Sequence, residues 1–355
     1  MPLALEYYNI VTRKQRENAA YTLINYLTSN KINRISRKMA TPLEQCLSPQ
    51  RPAELLLPQS PEEVQILVIN PNSNRDMSVG IGKLIKGQPY PPEHTTLITF
   101  TASSGPSSID NAVDALASAK VISDDIAQAT PYFAARDAFI VACFSPHPLV
   151  SLLRNHPSLY RKPVIGIFEA SISVSLSMLP LSVPDEYANL PITAEPQPPA
   201  RKFTGTKFGI VTTGAAWVPI LTAGVNDYLG LPASEVPLSA RFKGVASTGL
   251  SAEQLHTTPE EEVRERVVKA TRQLVADGDV AVVVLGCAGM AGMDKWVEDA
   301  CVEELGRNAA SLVRVIDGIK AAVALAVEEA RHMKQLAYRE PPPADDVVVI
   351  DTEAY

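Results

Sequence analysis

Two cysteines in this 355-residue chain follow apolar segments of the same type, at matched positions in its two halves. Cys143 comes 73 positions after Asn70, where one apolar run ends, and Cys287 comes 75 positions after Thr212, where another ends. Inverting a stereocentre by proton transfer requires a base on one face of the carbon and an acid on the other. Thiols suit both roles, because a helix N-terminus can lower a thiol pKa from about 8.5 toward neutrality. We therefore predict that Cys143 and Cys287 are the two acid/base groups of one site.

The elements that must position these cysteines alternate between strands and helices. Apolar runs rich in branched residues predict strands at Val64–Asn70, Thr95–Thr101, 137–143, 163–168, Lys207–Thr212 and 280–285. Helical patterns between them predict βαβ units, and hence an α/β fold of two pseudo-symmetric Rossmann-like domains with mainly parallel sheets. Because such sheets bind ligands at the carboxyl ends of their strands, both cysteines are expected to flank a cleft between the domains.

Changes in composition divide the chain into predicted regions. We expect a partly disordered N-terminal extension over residues 1–62, a first α/β domain over 63–200 and a second over 204–309. A proline-rich stretch marks the junction, and the C-terminal helix 310–336 is expected to complete the first domain. Residues 337–355 are predicted to form a disordered acidic tail.

Bulk composition favours a soluble enzyme of small molecules. A formal net charge of −7 argues against nucleic acid as a partner, since phosphate binding needs a basic surface. The longest apolar run, 321–327, is far shorter than the roughly 20 residues that span a bilayer, so no membrane association is expected. Four scattered cysteines indicate reduced thiols and a cytoplasmic location, although the basic N-terminal extension leaves organelle targeting open.

Neither a metal site nor a nucleotide cofactor is predicted. The GxGxxG and GxxxxGK[ST] loops that bind nucleotide phosphates are absent from the sequence. Cys301 lies among apolar neighbours at helical spacing and is interpreted as a core residue. Four histidines lack ligand-like spacing to cysteines or carboxylates: His94, His156, His256 and His332.

The carbanion formed between the two proton transfers must be stabilised by N–H donors directed at the substrate carbonyl. Asn70 is the first candidate, because its amide ends the opening strand. Glu169, at the end of the predicted strand 163–168, is a candidate to orient a ring nitrogen, with helix capping or a structural hydrogen bond as alternatives. The other candidate substrate-binding residues supply backbone groups: Asn72, Ser73, Phe144, Thr213, Gly214, Ala288 and Gly289.

Several short segments in a fixed order carry a family resemblance: ILVINPNS (66–73), GPSSI (105–109), VACF (141–144), PVIGIFEAS (163–171) and LGCAGM (285–290). From about Val64 to Leu336 the chain resembles the hydantoin and allantoin racemases of the Asp/Glu/hydantoin racemase superfamily. The resemblance implies a cleft flanked by Cys143 and Cys287, and racemisation at C5 of a hydantoin-type ring without metal or pyridoxal phosphate. It also implies a homo-oligomer as one option.

The segment after the first cysteine departs from the pattern of similar enzymes, which carry an Asp-Pro-Gly-like stretch where this chain has Ser145-Pro-His147-Pro. His147 is interpreted either as an ion-pair partner that tunes Cys143 or, in preference, as a surface-loop histidine. Other functions remain open on this scaffold: an amino-acid racemase, a maleate isomerase, or a non-catalytic ureide-binding protein of nitrogen metabolism. The presence of two cysteines disfavours an arylmalonate decarboxylase, which uses one.

Overall fold

Two four-stranded parallel sheets form the framework of the protein in its computed structural model, which describes residues 63–87, 94–180 and 203–337. The predicted N-terminal extension, the proline-rich junction and nearly all of the acidic tail lie outside these residues. Among the described residues, no helix is both long enough and apolar enough to span a membrane.

Strands and helices alternate through both halves, as predicted for an α/β fold. The first half contains β1 (Val64–Asn70), α1 (Arg75–Lys86), β2 (Thr95–Thr101), α2 (Ala112–Gln128), α3 (Thr130–Ala134), β3 (Ala138–Val141), α4 (Pro148–Arg154), β4 (Val164–Gly166) and α5 (Ile167–Met178). The second half contains β5 (Lys207–Thr212), α6 (Trp217–Tyr228), β6 (Phe242–Ser247), α7 (Gln254–Thr257), α8 (Glu260–Val275), β7 (Val280–Gly286), α9 (Asp294–Leu305), α10 (Arg307–Ala310), β8 (Arg314–Asp317) and α11 (Gly318–Ala337).

The two sheets have the same strand order. It is β2-β1-β3-β4 in the first and β6-β5-β7-β8 in the second, and every pairing is parallel. In each sheet the chain leaves the opening strand toward one edge and then returns on its other side. Such a reversal opens a crevice at the carboxyl ends of the two adjacent strands, where α/β proteins bind ligands. The crevices lie between β1 and β3 and between β5 and β7.

A single apolar core joins the halves. It includes Ile66 and Ile140 of the first sheet, Ile210 and Val284 of the second, and the buried face of α11. A smaller core covers the opposite face of the second sheet and is formed with α8 and α9. Cys301 is buried in this second core, which confirms its interpretation as a core residue.

Several element boundaries differ from the predictions. The strand predicted over 163–168 ends at Gly166, so Glu169 lies in the first turn of α5 and not at a strand end. Strand β8 pairs with β7, so the second sheet extends past the predicted boundary at residue 309 to Asp317. The last helix then packs on α5 and on strands of the first sheet.

Candidate active site

Cys143 and Cys287 lie at equivalent ends of equivalent strands. Cys143 follows β3 by two residues, and Cys287 directly follows β7. Both side chains are half-buried and neither forms a disulfide. Cys143 Sγ lies 3.5 Å from Ser145 Oγ, and Cys287 Sγ accepts a hydrogen bond of 3.3 Å from the Gly289 N–H. Each thiol therefore has at least one polar partner that can stabilise its anion.

The two thiols are close enough to interact electrostatically. Burial raises the pKa of Cys143 to about 12, the hydrogen bond with Ser145 opposes this rise, and the charge of Cys287 adds to it. Burial raises the pKa of Cys287 to about 11, against the hydrogen bonds from Gly289 and Met290. Cys287 therefore ionises first, and its negative charge then disfavours ionisation of Cys143.

These pKa values contradict the expectation that helix N-termini lower both thiol pKa values toward neutrality. Helix α4 begins only at Pro148, five positions after Cys143, so its N-terminus does not immediately follow that thiol. Cys287 does cap a short 3-10 helix, Ala288–Met290. At both cysteines, burial removes more solvation free energy from the thiolate than the local hydrogen bonds restore, so the net pKa shift is upward.

The charged side chains that shift the two thiols are acidic. Asp110 raises the pKa of both Cys143 and Cys287, although in each case it contributes less than burial does. Glu169 also contributes to the raised pKa of Cys143. These side chains therefore create a negative electrostatic potential at the sulfur atoms. Asp110 was not identified from the sequence, since a single acidic residue in a loop carries no motif.

The loop that carries Asp110 is fixed at three points. At its start, Ser103 donates to the Asp125 carboxylate from its N–H (3.1 Å) and from its hydroxyl (2.5 Å). In its middle, Ser73 donates from its N–H to Pro106 O (2.9 Å) and from Oγ to Gly105 O (3.0 Å). At its end, the Asp110 N–H donates to Asp114 Oδ2 at 3.2 Å. The loop therefore holds Asp110 in a defined place relative to the thiols.

The predicted role of Asn70 as a donor to the substrate is not supported. Asn70 is fully buried, and its Nδ2 donates within its own loop to Asn72 Oδ1 (2.9 Å), Asn74 O (3.0 Å) and Ser78 Oγ (2.9 Å). The backbone N–H of Asn72 points back at Asn70 Oδ1 (3.4 Å), and that of Ser73 is used by Pro106. Asn70 thus shapes the turn after β1, and these groups are occupied within the protein.

Backbone N–H groups that remain for a ligand come from the other predicted positions. Within the described part of the chain, the N–H groups of Phe144, Thr213, Gly214 and Ala288 donate no hydrogen bond to another residue. The loop that carries two of them is anchored, because Thr213 O accepts from the Ser247 hydroxyl and from the Gly249 N–H. These amides lie at the same sheet edges as the thiols, and they remain our prediction for substrate binding.

The side chains of Phe144 and His147 are structural. Phe144 is buried and packs edge-on against Phe168, with 5.5 Å between ring centroids. His147 is buried, and its Nδ1 accepts from the Leu149 N–H (3.2 Å) as the N-cap of α4. Its Nε2 lies 3.1 Å from Ser118 Oγ. Burial lowers the pKa of His147 to about 4, so it is neutral at physiological pH. Both interpretations of His147, as ion-pair partner or surface residue, were wrong.

Gly289 separates Cys287 from a histidine that sequence spacing did not connect with it. A Cβ atom at Gly289 would lie 3.1 Å from His256 Nε2 and 3.6 Å from Cys287 Sγ. The absence of a side chain at Gly289 therefore lets α7 approach the second thiol. In the described residues, no group of three or more His, Cys, Asp or Glu side chains is arranged to hold a metal ion.

Comparison with known proteins identifies the family. A family model for the Asp/Glu/hydantoin racemases matches residues 66–183 and 197–326, which is more than half of the chain. The chain belongs to this family. An uncharacterized protein of Schizosaccharomyces pombe is 32% identical over 262 residues, which cover 74% of this chain and 90% of the relative.

Two further proteins that this chain is similar to have named activities. A hydantoin racemase of Paenarthrobacter aurescens is 25% identical over 264 residues, covering 74% of this chain and 89% of that protein. The crystal structure of allantoin racemase from Pseudomonas fluorescens matches 76% of this chain and 92% of its own, with a TM-score of 0.56 and 22% identity. At this identity the structural match shows a shared fold, which confirms the predicted pair of parallel α/β halves.

Proposed function

We propose that this protein is a two-cysteine racemase that inverts C5 of a hydantoin-type ring, such as a 5-substituted hydantoin or allantoin. One thiol removes the C5 proton and the other returns a proton to the opposite face. The observation that carries the proposal is the placement of Cys143 and Cys287 at equivalent strand ends, close enough for one to raise the pKa of the other.

The proton balance requires one thiolate and one thiol at the start of each turnover. The thiolate takes the C5 proton, and the electron pair of the C–H bond moves toward the adjacent C4 carbonyl to give an enolate. The second thiol then donates its proton to C5 from the opposite face and becomes a thiolate. Backbone N–H groups such as those of Phe144 and Ala288 are suited to bind the enolate oxygen. The reverse reaction uses the same groups in exchanged roles.

Charge favours a neutral ring over a free acidic amino acid. The side-chain charges that shift the thiols, those of Asp110 and Glu169, are negative. Aspartate or glutamate would bring two carboxylates into this region, and like charges in a poorly hydrated site repel strongly. A hydantoin carries no formal charge at neutral pH and offers N–H donors that acidic groups can accept. The relative named as a hydantoin racemase supports the same substrate class.

A binding protein without useful catalytic rate is the second candidate, and one observation favours it. With a pKa of about 11, Cys287 is ionised in only about 1 molecule in 10,000 at pH 7. A protein that binds a ureide but does not form the thiolate would have this same site. The two candidates differ in whether the C5 proton of the bound molecule exchanges with solvent.

The deciding experiment follows proton exchange and optical rotation together. Pure enantiomers of a 5-substituted hydantoin, and separately of allantoin, are incubated with protein in D2O, and deuterium at C5 is measured by NMR. We expect loss of optical rotation with deuterium incorporation. Cys143→Ser and Cys287→Ser should each reduce racemisation by at least about 100-fold, the usual contribution of a general acid or base. Each variant should favour proton exchange of only one enantiomer.

A third cysteine provides the matched control. Cys301 lies in α9 within the second core, away from the strand ends that carry the other two thiols. Cys301→Ala should retain racemisation at the wild-type rate per folded molecule. Full racemase activity of either Cys143→Ser or Cys287→Ser would contradict the two-base assignment. Tight binding without exchange or racemisation by the wild type would favour the binding protein.

A further inference from the structure

Glu169, in the first turn after the strand next to β3, has a buried carboxylate oxygen without a hydrogen-bond partner. Its Oε2 is inaccessible to solvent and makes no hydrogen bond to any described residue. The residue lies in the first turn of α5, directly after β4, and β4 pairs with the strand that leads to Cys143. Its charge also reaches Cys143, since it contributes to the raised pKa of that thiol.

An unpartnered buried carboxylate is costly, because its desolvation is not compensated. Such atoms in folded proteins usually have a partner, and an exception calls for an explanation such as a ligand. Here the fold makes room for the group. A Cβ at Gly166 would lie 1.9 Å from Glu169 Oε2, so glycine at this position allows the carboxylate to fold back over the end of β4. Burial raises the pKa of Glu169, and this rise is opposed by a hydrogen bond from its own backbone N–H and by the charge of Arg154. The Arg154 guanidinium itself donates to Val164 O at 2.9 Å.

We propose that the Glu169 side chain turns from its position over Gly166 toward the cleft when substrate binds, accepts a hydrogen bond from a ring N–H, and so sets which ring is accepted. This inference rests on the function proposed above and names one specificity determinant of that site. A carboxylate oxygen is only an acceptor, so it selects a ligand that presents a donor. A hydantoin-type ring carries such a donor on N1, next to C5, and another on N3. The bond would hold C5 in a fixed orientation toward Cys143.

The same bond has an electrostatic consequence for the thiol. An N–H group that donates to Glu169 partly compensates the carboxylate charge that acts on Cys143. Binding of the correct ring would therefore weaken one of the interactions that disfavour the Cys143 thiolate. A ring that lacks the donor would leave the Glu169 charge uncompensated. Such a ring would lose the hydrogen bond itself, and it would also leave the Cys143 thiolate as strongly disfavoured as before.

The test combines variants of Glu169 with substrates that lack one N–H. Wild type, Glu169→Gln and Glu169→Met are assayed on one 5-substituted hydantoin and on its N1-methyl and N3-methyl analogues. On the parent ring we expect kcat/KM to fall by about tenfold in Glu169→Gln and further in Glu169→Met, since hydrogen bonds to a charged acceptor are the stronger ones. On the analogue whose methyl group replaces the N–H that donates to Glu169, the three proteins should have equal kcat/KM, because the hydrogen bond is absent in all of them. Glu329→Gln, an exposed glutamate on α11, is the matched control and should match wild type on every substrate.

A stability measurement separates substrate binding from a structural role. Because Oε2 of Glu169 has no partner in the free protein, Glu169→Met should unfold at the same temperature as wild type or higher. A loss of several degrees would show that the carboxylate stabilises the fold, and would overturn the inference.

The kinetic outcomes also decide between explanations. Equal losses on the parent and on both methylated rings would overturn the role of Glu169 as an N–H acceptor while leaving the racemase intact. The same conclusion follows if Asp110→Asn, and not Glu169→Gln, abolishes the discrimination against a methylated ring. Absence of turnover by the wild type on every ring would instead overturn the proposed function, and with it this inference.

Discussion

The raised pKa values of the two active-site thiols predict how the protein reacts with an alkylating reagent as pH changes. Only a thiolate reacts with iodoacetamide, so the rate reports the ionised fraction. Cys287, with a pKa of about 11, should react before Cys143, with a pKa of about 12. Both should be protected at pH 8 relative to a free cysteine in solution.

The size of this protection follows from the pKa difference. At pH 8 a free thiol with a pKa near 8.5 is about one quarter ionised, whereas Cys287 is about 0.1% ionised, roughly 240-fold less. A more basic thiolate is more nucleophilic, and with a Brønsted coefficient of 0.4–0.5 this recovers about 13-fold. Alkylation of Cys287 should therefore be about 20-fold slower than that of the reference thiol, before any steric protection.

The assay measures alkylation of each cysteine-containing peptide by mass spectrometry between pH 7 and 10, with an unstructured, end-blocked cysteine peptide of pKa near 8.5 as the reference thiol. Cys143→Ser allows Cys287 to be followed alone. The logarithm of its rate should rise with unit slope up to pH 10, where the reference thiol has already levelled off. Equal or faster alkylation of Cys287 than of the reference at pH 8, or a plateau below pH 9, would refute the dominance of desolvation at this site.

Two further predictions concern the stability of the scaffold. His147 has a pKa of about 4 in the folded protein against an ordinary value of 6.5, so the unfolded chain binds more protons between these two pH values. The free energy of unfolding should therefore fall as pH drops from 6.5 to 4, by at most about 3 kcal/mol. His147→Asn keeps an N-cap and should show a smaller fall in urea denaturation at pH 4.5 relative to pH 7, and an unchanged pH dependence would contradict the assignment. Gly286→Ala places a Cβ 2.6 Å from Ile210 Cγ2 and 2.7 Å from Val211 O, and should destabilise by about 1–3 kcal/mol because the carbonyl cannot move away. If Gly286→Ala has the same free energy of unfolding as wild type in urea denaturation, the predicted steric clash at this position is wrong.

The central strands were the easiest to predict from the sequence. Strands β1, β5 and β7 are nearly uninterrupted apolar runs, because central parallel strands are covered on both faces. At the sheet edges, β2 and β4 were predicted from their branched residues, whereas β6 and β8 were missed because partial exposure allows charged residues such as Lys243 and Arg314 within them. Their pairing partners are set by tertiary packing that no local pattern records.

The candidate site was predictable where it depends on topology and not where it depends on desolvation. The matched positions of Cys143 and Cys287 follow from the repeated strand order, which places both after the third strand of a sheet. Their raised pKa values arise from burial by residues distant in sequence, which spacing does not reveal. The Asn70 amide shows a related limit of sequence reasoning, since an amide at a strand end can equally well satisfy its own loop, as it does in this structure.

A single glycine controls how closely the two halves approach beside Cys143. Gly224, in the middle of α6, lies against the segment that follows Cys143: a Cβ there would lie 3.0 Å from Pro146 Cγ and 3.1 Å from Phe168 Cζ. Helix α6 belongs to the half that supplies Cys287, so hydrogen in place of a methyl group lets the two halves approach. A residue much larger than alanine at Gly224 would act as a spacer between them, and we expect it to widen any cleft that the two thiols flank without a change in either cysteine.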